Sequence, residues 1–264
     1  MDTRVYCAVG GNTHTGMKRL TVIAGPCVVE NRDTTMRIAD TLLLICDRLE
    51  INLLFKASYR KANRSRMDAF TGIGDMTALE ILSEVHDRFA ADVITDIHEA
   101  EEAARAAMFV QALQIPAFLC RQTDLLIAAA KTDLPINIKK GQFMSAAAME
   151  NAVGKIRSVA GRPVIITERG NSFGYNDVVV DMRNISLLSG ICDGVLVDVT
   201  HTNGGAYRHS FALAAASIAA GADGIFLETH PDPGKALSDG KNMIPLYEVE
   251  GLLTQLKQIK EVVG

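Results

Sequence analysis

The chain has 264 residues, of which 48% are apolar and 22% are charged, and this balance excludes a disordered or collagen-like protein. The net charge of −4 gives no general reason to expect binding to nucleic acid or to an anionic membrane. The first twenty residues contain no apolar block suited to a signal peptide, and the five cysteines show no framework spacing. We therefore expect a cytoplasmic protein with reduced thiols.

Short apolar runs alternate with amphipathic stretches along the chain. Continuous apolar runs are typical of parallel strands that are buried on both faces. The runs predict strands at residues 20–24, 53–56, 93–96, 110–115, 136–138, 164–167, 195–199 and 224–227. Apolar residues at helical spacing predict helices between them. Asp33 and Thr34 suit the cap region of the first helix, and Gly221 suits a helix end.

Eight strands alternating with helices predict an α/β fold, a single (β/α)8 barrel in which residues 1–264 form one domain. A doubly wound sheet is the structural alternative, although that fold usually has fewer strands. Residues 1–19 lie outside the count. For them we predict a short hairpin, formed by residues 4–9 and 17–19, that covers the bottom of the barrel.

Each predicted strand is followed by polar or charged residues. In a parallel barrel the carboxyl ends of all strands meet on one face, where active sites form. A single charged residue at a strand end often only reaches water, but repetition at every strand end predicts a functional face. The residues concerned are Cys27, Glu30, Lys56, Ser58, Asp96, His98, Gln114, Lys139, Lys140, Glu168, Arg169, Asp198, His201, Glu228 and His230.

Residues 56–66 form a strongly basic segment with no acidic residue. Its five cations are Lys56, Arg60, Lys61, Arg64 and Arg66, and its other polar donors are Ser58, Asn63 and Ser65. Cations combined with hydroxyl and amide donors are suited to phosphate and carboxylate groups. With Arg121, Lys139, Lys140 and Arg169, nine cations are expected on the same face. Because one phosphate needs about two or three, this number predicts substrates with several anionic groups.

A second set of residues comes from the first and the last strands and suggests a metal site. Barrel closure places strand eight beside strand one, so Cys27, His201, Glu228 and Asp239 can be neighbours. A thiolate, an imidazole and two carboxylates suit Zn²⁺, Fe²⁺ or Mn²⁺ better than Mg²⁺ or Ca²⁺. The alternative is that Cys27 is only a small packing residue in its turn.

Several motifs together match one family. They include Ile-Ala-Gly-Pro-Cys at 23–27, Lys-Ala-Asn-Arg-Ser at 61–65, Thr-Asp-Ile-His-Glu at 95–99, Asn-Ile-Lys-Lys-Gly at 137–141 and Glu-Thr-His-Pro-Asp-Pro at 228–233. Through these motifs, the chain resembles the 3-deoxy-D-manno-octulosonate 8-phosphate synthase family. The resemblance extends from about residue 20 to the end of the chain. The sister family of 3-deoxy-arabino-heptulosonate 7-phosphate synthases shares the barrel but has a different loop after strand two.

The resemblance implies condensation of phosphoenolpyruvate with arabinose 5-phosphate and release of inorganic phosphate. It also implies a cytoplasmic homotetramer in lipopolysaccharide synthesis, with each site completed across a subunit interface. It places Lys56, Ser58 and Lys61 near the phosphoenolpyruvate carboxylate and Asp96 near the sugar hydroxyls. It further implies that the phosphate of phosphoenolpyruvate is bound by Gln114, Ala117, Arg121, Lys139 and Arg169. The sugar phosphate is bound by Asn63, Arg64 and Ser65 in this resemblance. The metal of the metal-dependent branch is held by Cys27, His201, Glu228 and Asp239.

Two features depart from the family pattern. Arg66 stands where the family usually has serine, and the loop after strand seven, at residues 202–208, is about a dozen residues short. Three other functions stay open: condensation with erythrose 4-phosphate, a Schiff-base aldolase with Lys56 or Lys139 as nucleophile, and a non-catalytic barrel that only binds sugar phosphates. Asp239, Glu228 and His201 are the candidate proton-transfer groups.

Overall fold

The computed structural model describes residues 19–175 and 177–263 as a closed parallel barrel surrounded by helices. The predicted N-terminal hairpin, apart from Arg19, lies outside the described residues, as do Cys7 and His14. The barrel strands are β1 (Thr21–Gly25), β2 (Asn52–Lys56), β3 (Asp92–Asp96), β4 (Ala112–Ile115), β5 (Ile136–Lys139), β6 (Val164–Glu168), β9 (Gly194–Asp198) and β10 (Gly224–His230). The helices are α1 (Arg32–Leu49), α2 (Asp75–Phe89), α3 (Ala100–Ala106), α4 (Thr123–Lys131), α5 (Met149–Arg157), α6 (Arg183–Ser189), α7 (His209–Ala219) and α8 (Val249–Val263).

The sheet closes on itself through the first and the last barrel strand. β1 pairs in parallel with both β2 and β10, and the register with β10 runs from Thr21 opposite Gly224 to Gly25 opposite Glu228. An open doubly wound sheet has no such pairing, so that alternative is wrong. The single (β/α)8 barrel predicted from the sequence is confirmed.

Two apolar layers hold the barrel together. Inside it, side chains from alternate strand positions form a small cluster of Ile23, Leu54, Ile94, Ala112, Ile165, Leu196 and Phe226. Their neighbours along each strand, such as Val22 and Ala24 in β1, point outward into the larger core beneath the helices. Burial on both faces explains why the strands have continuous apolar sequences.

Several local predictions need correction. β4 begins at Ala112, two residues later than predicted. The N-cap of α1 is Asn31, because its side-chain oxygen accepts a hydrogen bond from the Thr34 N–H at 2.8 Å. Asp33 instead lies in the first turn, where its charge complements the helix dipole. The helix end at Gly221 is confirmed, since this residue has a φ of 96° just after α7.

The sequence prediction missed two small strand pairs. β7 (Asn171–Phe173) and β8 (Asp177–Val179) form an antiparallel hairpin between β6 and α6. β11 (Ile244–Pro245) adds a short parallel pairing to the end of β10. Among the described helices, none is long and apolar enough to cross a membrane.

Candidate active site

A cavity of about 510 Å³ opens at the carboxyl ends of the barrel strands. Most of the predicted site residues line it: Lys56, Lys61, Asn63, Arg64, Ser65, Asp96, Gln114, Ala117, Lys139, Arg169, His201, Glu228 and Asp239. Cys27 and Ser58 are fully buried and do not line the cavity. Arg121 is exposed and lies outside the lining. The structure therefore brings residues from distant parts of the chain into one site.

Five of the nine predicted cations line the cavity, and the expectation that all nine converge is wrong. The five are Lys56, Lys61, Arg64, Lys139 and Arg169. Arg60 instead pairs with Glu102, Arg66 pairs with Asp68, and Lys140 lies 3.2 Å from Glu168 in the interior. Residues in one charged run can point in different directions, so the position of a cation in the sequence alone did not separate these roles.

Four buried polar atoms of cavity-lining residues have no hydrogen-bond partner among the described residues. They are Asp96 Oδ1, Gln114 Oε1, Arg169 Nε and Glu228 Oε2. Buried polar groups normally have partners, because a buried unpaired group costs free energy. Two acidic oxygens, one amide oxygen and one guanidinium N–H thus remain free for a ligand with both anionic and hydroxyl groups.

Lys56 lies at the floor of the cavity between two acids. Its Nζ is 3.6 Å from Asp96 Oδ1 and 3.8 Å from Glu228 Oε1, and it donates a hydrogen bond to Ser58 Oγ at 2.9 Å. Ser58 therefore acts on the cavity by orienting Lys56. Burial would raise the pKa of Asp96, but Lys56 and a hydrogen bond from His98 hold it well below its usual range.

Lys139, Asp198 and His201 form a second buried charge group across β5 and β9. Lys139 Nζ donates to Asp198 Oδ2 at 2.7 Å, and His201 Nδ1 lies 2.9 Å from the same oxygen. Burial lowers the pKa of Lys139, an effect that Asp198 and Glu228 oppose. Asp198 does not line the cavity, and it holds both side chains in place from behind the cavity wall.

The predicted metal ligands lie close together at the junction of β1 and β10. Donor atoms of Cys27, Glu228 and Asp239 all lie within 4.8 Å of one another. His201 is not in that group, but its Nε2 is 3.8 Å from Glu228 Oε2. Burial and the Glu228 carboxylate raise the pKa of the Cys27 thiol to about 12. The thiol, the two carboxylates and the unpaired Glu228 oxygen fit a divalent cation, which would displace the thiol proton.

Ser238 and Glu30 hold the loop after β10 against this cluster. Ser238 Oγ is 3.1 Å from Cys27 Sγ and 3.1 Å from Asp239 Oδ2. Glu30 accepts a hydrogen bond from the Leu237 backbone N–H at 2.6 Å. The loop that carries Asp239 is thereby fixed beside the turn that carries Cys27. The sequence prediction missed Ser238, although it directly precedes a predicted ligand.

The short loop after β9 is held by hydrogen bonds to β9, to α7 and to the loop after β10. Asn203 Nδ2 donates to Ser210 Oγ at 3.2 Å and to the Asn242 carbonyl at 2.9 Å. The Thr202 hydroxyl donates to the Asp198 carbonyl. Residues 202–208 thus join β9 to α7 as a compact connection, and His201 at its start keeps its place in the cavity wall.

The barrel and its cavity define a class of protein: a (β/α)8 enzyme with an anion-binding site and a thiol–carboxylate cluster at the carboxyl ends of its strands. The chain belongs to the DAHP synthetase I family, whose sequence model matches residues 9–264.

Full-length relatives support this membership. A protein of Geobacter sp. strain M21 is 46% identical over 266 residues, covering 97% of each chain. Relatives from Trichlorobacter lovleyi and Syntrophobacter fumaroxidans are 45% and 46% identical, covering 97% and 94% of this chain and 98% and 90% of theirs. All three are named 2-dehydro-3-deoxyphosphooctonate aldolase. The resemblance seen in the sequence motifs is therefore confirmed.

Proposed function

We propose that this protein condenses phosphoenolpyruvate, arabinose 5-phosphate and water to 3-deoxy-D-manno-octulosonate 8-phosphate and inorganic phosphate. The observation that carries the proposal is the single cavity in which five cations face unpaired acceptors of Asp96, Gln114 and Glu228. Two phosphorylated substrates, one of them rich in hydroxyl groups, match this lining. The names of the relatives agree with this reaction.

The cations divide between the two substrates according to their place in the barrel. Lys56 and Lys61 lie close to the buried acids at the floor and would take the phosphoenolpyruvate carboxylate. Lys139 and Arg169, with Gln114 and the Ala117 backbone, would take its phosphate. The 63–65 segment at the rim would bind the phosphate of the sugar. Holding both anions in one cavity supplies the proximity that a condensation needs.

The reaction then follows from the chemistry of an enol phosphate. C3 of phosphoenolpyruvate attacks the aldehyde carbon of the sugar, and the aldehyde oxygen takes up a proton to become a hydroxyl group. Water adds to the electron-poor C2 and gives up a proton. The resulting hemiketal phosphate expels phosphate by cleavage of its C–O bond. Asp239, a carboxylate in the cavity lining, would accept a proton from the attacking water. Asp96 would bind a sugar hydroxyl and orient the aldehyde.

A divalent transition metal, Zn²⁺, Fe²⁺ or Mn²⁺, is part of this proposal. Cys27, Glu228 and Asp239 would hold it, with His201 Nε2 as the fourth donor. When bound, such an ion supplies Lewis-acid polarisation and orientation of the aldehyde or of water. The donor set supports it because a thiol and an imidazole favour transition metals over Mg²⁺ or Ca²⁺.

We also propose a cytoplasmic homotetramer in which a neighbouring copy completes the site. The supporting observation is Phe118, which lines the cavity although its residue surface is 58% exposed. Phe143, which is 56% exposed, is a second large apolar residue on the surface. Large exposed aromatic side chains are typical of surfaces that a partner covers.

Phosphate release tests the proposed reaction. We expect release only when phosphoenolpyruvate and arabinose 5-phosphate are both present, with lower turnover when erythrose 4-phosphate replaces the pentose. Release from phosphoenolpyruvate alone would contradict a condensation. Equal or faster turnover with erythrose 4-phosphate would assign the chain to the sister activity, and binding of both substrates without release would indicate a non-catalytic barrel.

One observation favours a second candidate, a Schiff-base aldolase. Lys139 is buried and has a lowered pKa, which makes a lysine more nucleophilic. Its Nζ is paired with the Asp198 carboxylate at 2.7 Å, however, and this pair favours the ammonium form, which has no lone pair for attack. Borohydride treatment in the presence of substrate separates the mechanisms. The condensation predicts no trapped lysine adduct, and an adduct on Lys139 or Lys56 would favour the aldolase.

A further inference from the structure

A chain of hydrogen bonds runs from the cavity wall to a buried acid behind it. His98 Nε2 lies 3.3 Å from Asp96 Oδ2, and His98 Nδ1 lies 3.3 Å from Glu102 Oε2. The same Glu102 oxygen accepts the backbone N–H of His98 at 2.7 Å. Asp96 and His98 line the cavity, whereas Glu102 does not and is only 4% exposed. A buried acid that contacts a cavity-lining histidine needs an explanation.

We propose that Glu102 is a positioning residue for the condensation: it keeps both ring nitrogens of His98 protonated, and His98 then fixes Asp96 with one carboxylate oxygen free for the sugar. This inference rests on the proposed function, because it gives Asp96 the sugar as its ligand. The contact between Glu102 and His98 can be tested without that assumption.

The geometry requires a doubly protonated histidine. A carboxylate faces each ring nitrogen, and a carboxylate can only accept, so each nitrogen must donate. Burial by itself would lower the pKa of His98, but the hydrogen bonds to Asp96 and Glu102 raise it to about 9. Burial likewise would raise the pKa of Glu102, but its hydrogen bonds with His98 lower it to about 2. Both groups are therefore charged at neutral pH.

Charged and titratable groups from three elements surround this pair. Tyr59, after β2, packs its ring edge-to-face on His98 at a centroid distance of 6.3 Å. Arg60 donates to the other oxygen of Glu102 and also reaches Asp75. From α3, Arg105 lies 3.3 Å from Asp75. Lys56 and Lys61 act on Asp96 from the cavity side. Arg60 contacts Glu102, and no described cation pairs directly with His98.

The two carboxylate oxygens of Asp96 have different surroundings. Oδ2 is held by His98, whereas Oδ1 has no hydrogen-bond partner among the described residues, and Lys56 Nζ stays 3.6 Å away. If His98 lost a proton while still donating to Glu102, its Nε2 lone pair would face the Asp96 carboxylate. That repulsion would turn Asp96 away and remove the acceptor for a sugar hydroxyl.

The test compares Glu102→Gln with Glu101→Gln, a matched control at the neighbouring exposed position of α3. The measurement is kcat/KM for arabinose 5-phosphate at saturating phosphoenolpyruvate between pH 6 and pH 9, as a ratio to the wild type. If the His98 pKa returns to its ordinary value of about 6.5, the protonated fraction at pH 8 falls about thirtyfold, yet it changes less than about twofold at pH 6. We expect this pH-dependent ratio for Glu102→Gln, an unchanged KM for phosphoenolpyruvate, and a flat ratio near one for Glu101→Gln.

A second measurement reads the titration from the wild-type protein, and a variant is used only to assign one signal. Protein labelled with ¹³C in its histidine rings is titrated by NMR, and the His98 signal is assigned with His98→Gln. We expect His98 to titrate near pH 9 in the wild type. Titration near the ordinary histidine value, or an activity loss in Glu102→Gln that is the same at every pH, would overturn the inference. Absence of condensation by the wild type would overturn the proposed function, while the titration would still decide the Glu102–His98 contact.

Discussion

Arg169 and Lys139 both contribute a cation to the cavity, but their surroundings differ. Arg169 Nε has no partner among the described residues, whereas Lys139 Nζ is bonded to the buried Asp198. Removing Arg169 takes away a ligand-binding group without breaking a hydrogen bond at its Nε. Removing Lys139 also leaves Asp198 with one cationic partner fewer, so a cost in stability is expected there as well.

We predict that Arg169→Ala and Lys139→Ala each lower kcat/KM by about ten- to hundredfold. A charge-assisted hydrogen bond contributes about 1.5–3 kcal/mol, and each 1.4 kcal/mol is about a factor of ten. Steady-state kinetics with phosphoenolpyruvate as the varied substrate measures the effect. Arg88→Ala is the control, because Arg88 is exposed at the last turn of α2. Near-normal kcat/KM in either variant would remove that residue from the site.

Cys27 provides the direct test of the metal proposal. We predict that a chelator abolishes activity, that Zn²⁺, Fe²⁺ or Mn²⁺ restores it, and that Cys27→Asn loses metal affinity because asparagine has no thiolate. Titration with Co²⁺, followed by the absorption of the cobalt–thiolate bond, measures binding independently of turnover. Cys192→Ser is the control, since the Cys192 thiol lies within hydrogen-bonding distance of the Leu188 and Gly194 backbone carbonyls and outside the cluster. Full activity of a chain verified to be metal-free would contradict the metal assignment and leave the condensation standing.

At the scale of single residues, the sequence was informative where a residue lies at the carboxyl end of a strand. Lys56, Asp96, Lys139 and Glu228 could be assigned to one face because strand ends converge in a barrel. Side-chain direction within loops could not be predicted, so Arg60 and Arg66 were wrongly counted among the cavity cations. Glu102 was missed because its role depends on a contact with His98 across a helix start, and only the four-residue spacing hints at it.

At the scale of elements, Gly224 lies where β10 passes very close to β1. A Cβ added at Gly224 would lie 1.6 Å from the Thr21 carbonyl oxygen and 3.0 Å from a Leu196 methyl group. The oxygen belongs to the backbone of the strand that closes the barrel and cannot move without breaking the register with β10. Closure therefore depends on glycine at this position.

We predict that Gly224→Ala destabilises the barrel by at least about 1–3 kcal/mol, the usual cost of overpacking. Gly251→Ala is the matched control: Gly251 lies in α8, and nothing lies within 4 Å of the added Cβ. It should leave stability unchanged or raise it by up to about 1 kcal/mol, since alanine favours helix. Urea unfolding of both variants measures the difference. Equal stability of Gly224→Ala and the wild type would contradict the closure argument.

The elements themselves were largely predictable, because the buried strands have continuous apolar runs and the helices have an amphipathic period. The parts that were missed lack both signals. β7 and β8 are mostly exposed three-residue strands, and β11 has only two residues. The predicted cap region did not include Asn31, because Asn31, Asp33 and Thr34 are all good capping residues. Only the hydrogen bond from the Thr34 N–H identifies Asn31 as the N-cap.

At the scale of the whole molecule, function depends on closure of the sheet. Cys27 follows the first strand, whereas Glu228 and Asp239 come from the last strand and the loop beyond it. They meet only because β1 pairs with β10. The cations come mainly from the intervening strands and loops, so the anion site and the thiol–carboxylate cluster share one cavity. The proposed condensation requires that this cavity hold an enol phosphate and an aldehyde side by side.

The most direct test offers the protein both possible aldehydes at once. Phosphoenolpyruvate is supplied with equal concentrations of arabinose 5-phosphate and erythrose 4-phosphate, and the early products are identified by mass spectrometry. The proposed condensation predicts mainly the eight-carbon 3-deoxy sugar acid phosphate, with one inorganic phosphate released per molecule formed. A predominance of the seven-carbon product, or an eight-carbon product formed without phosphate release, would contradict it.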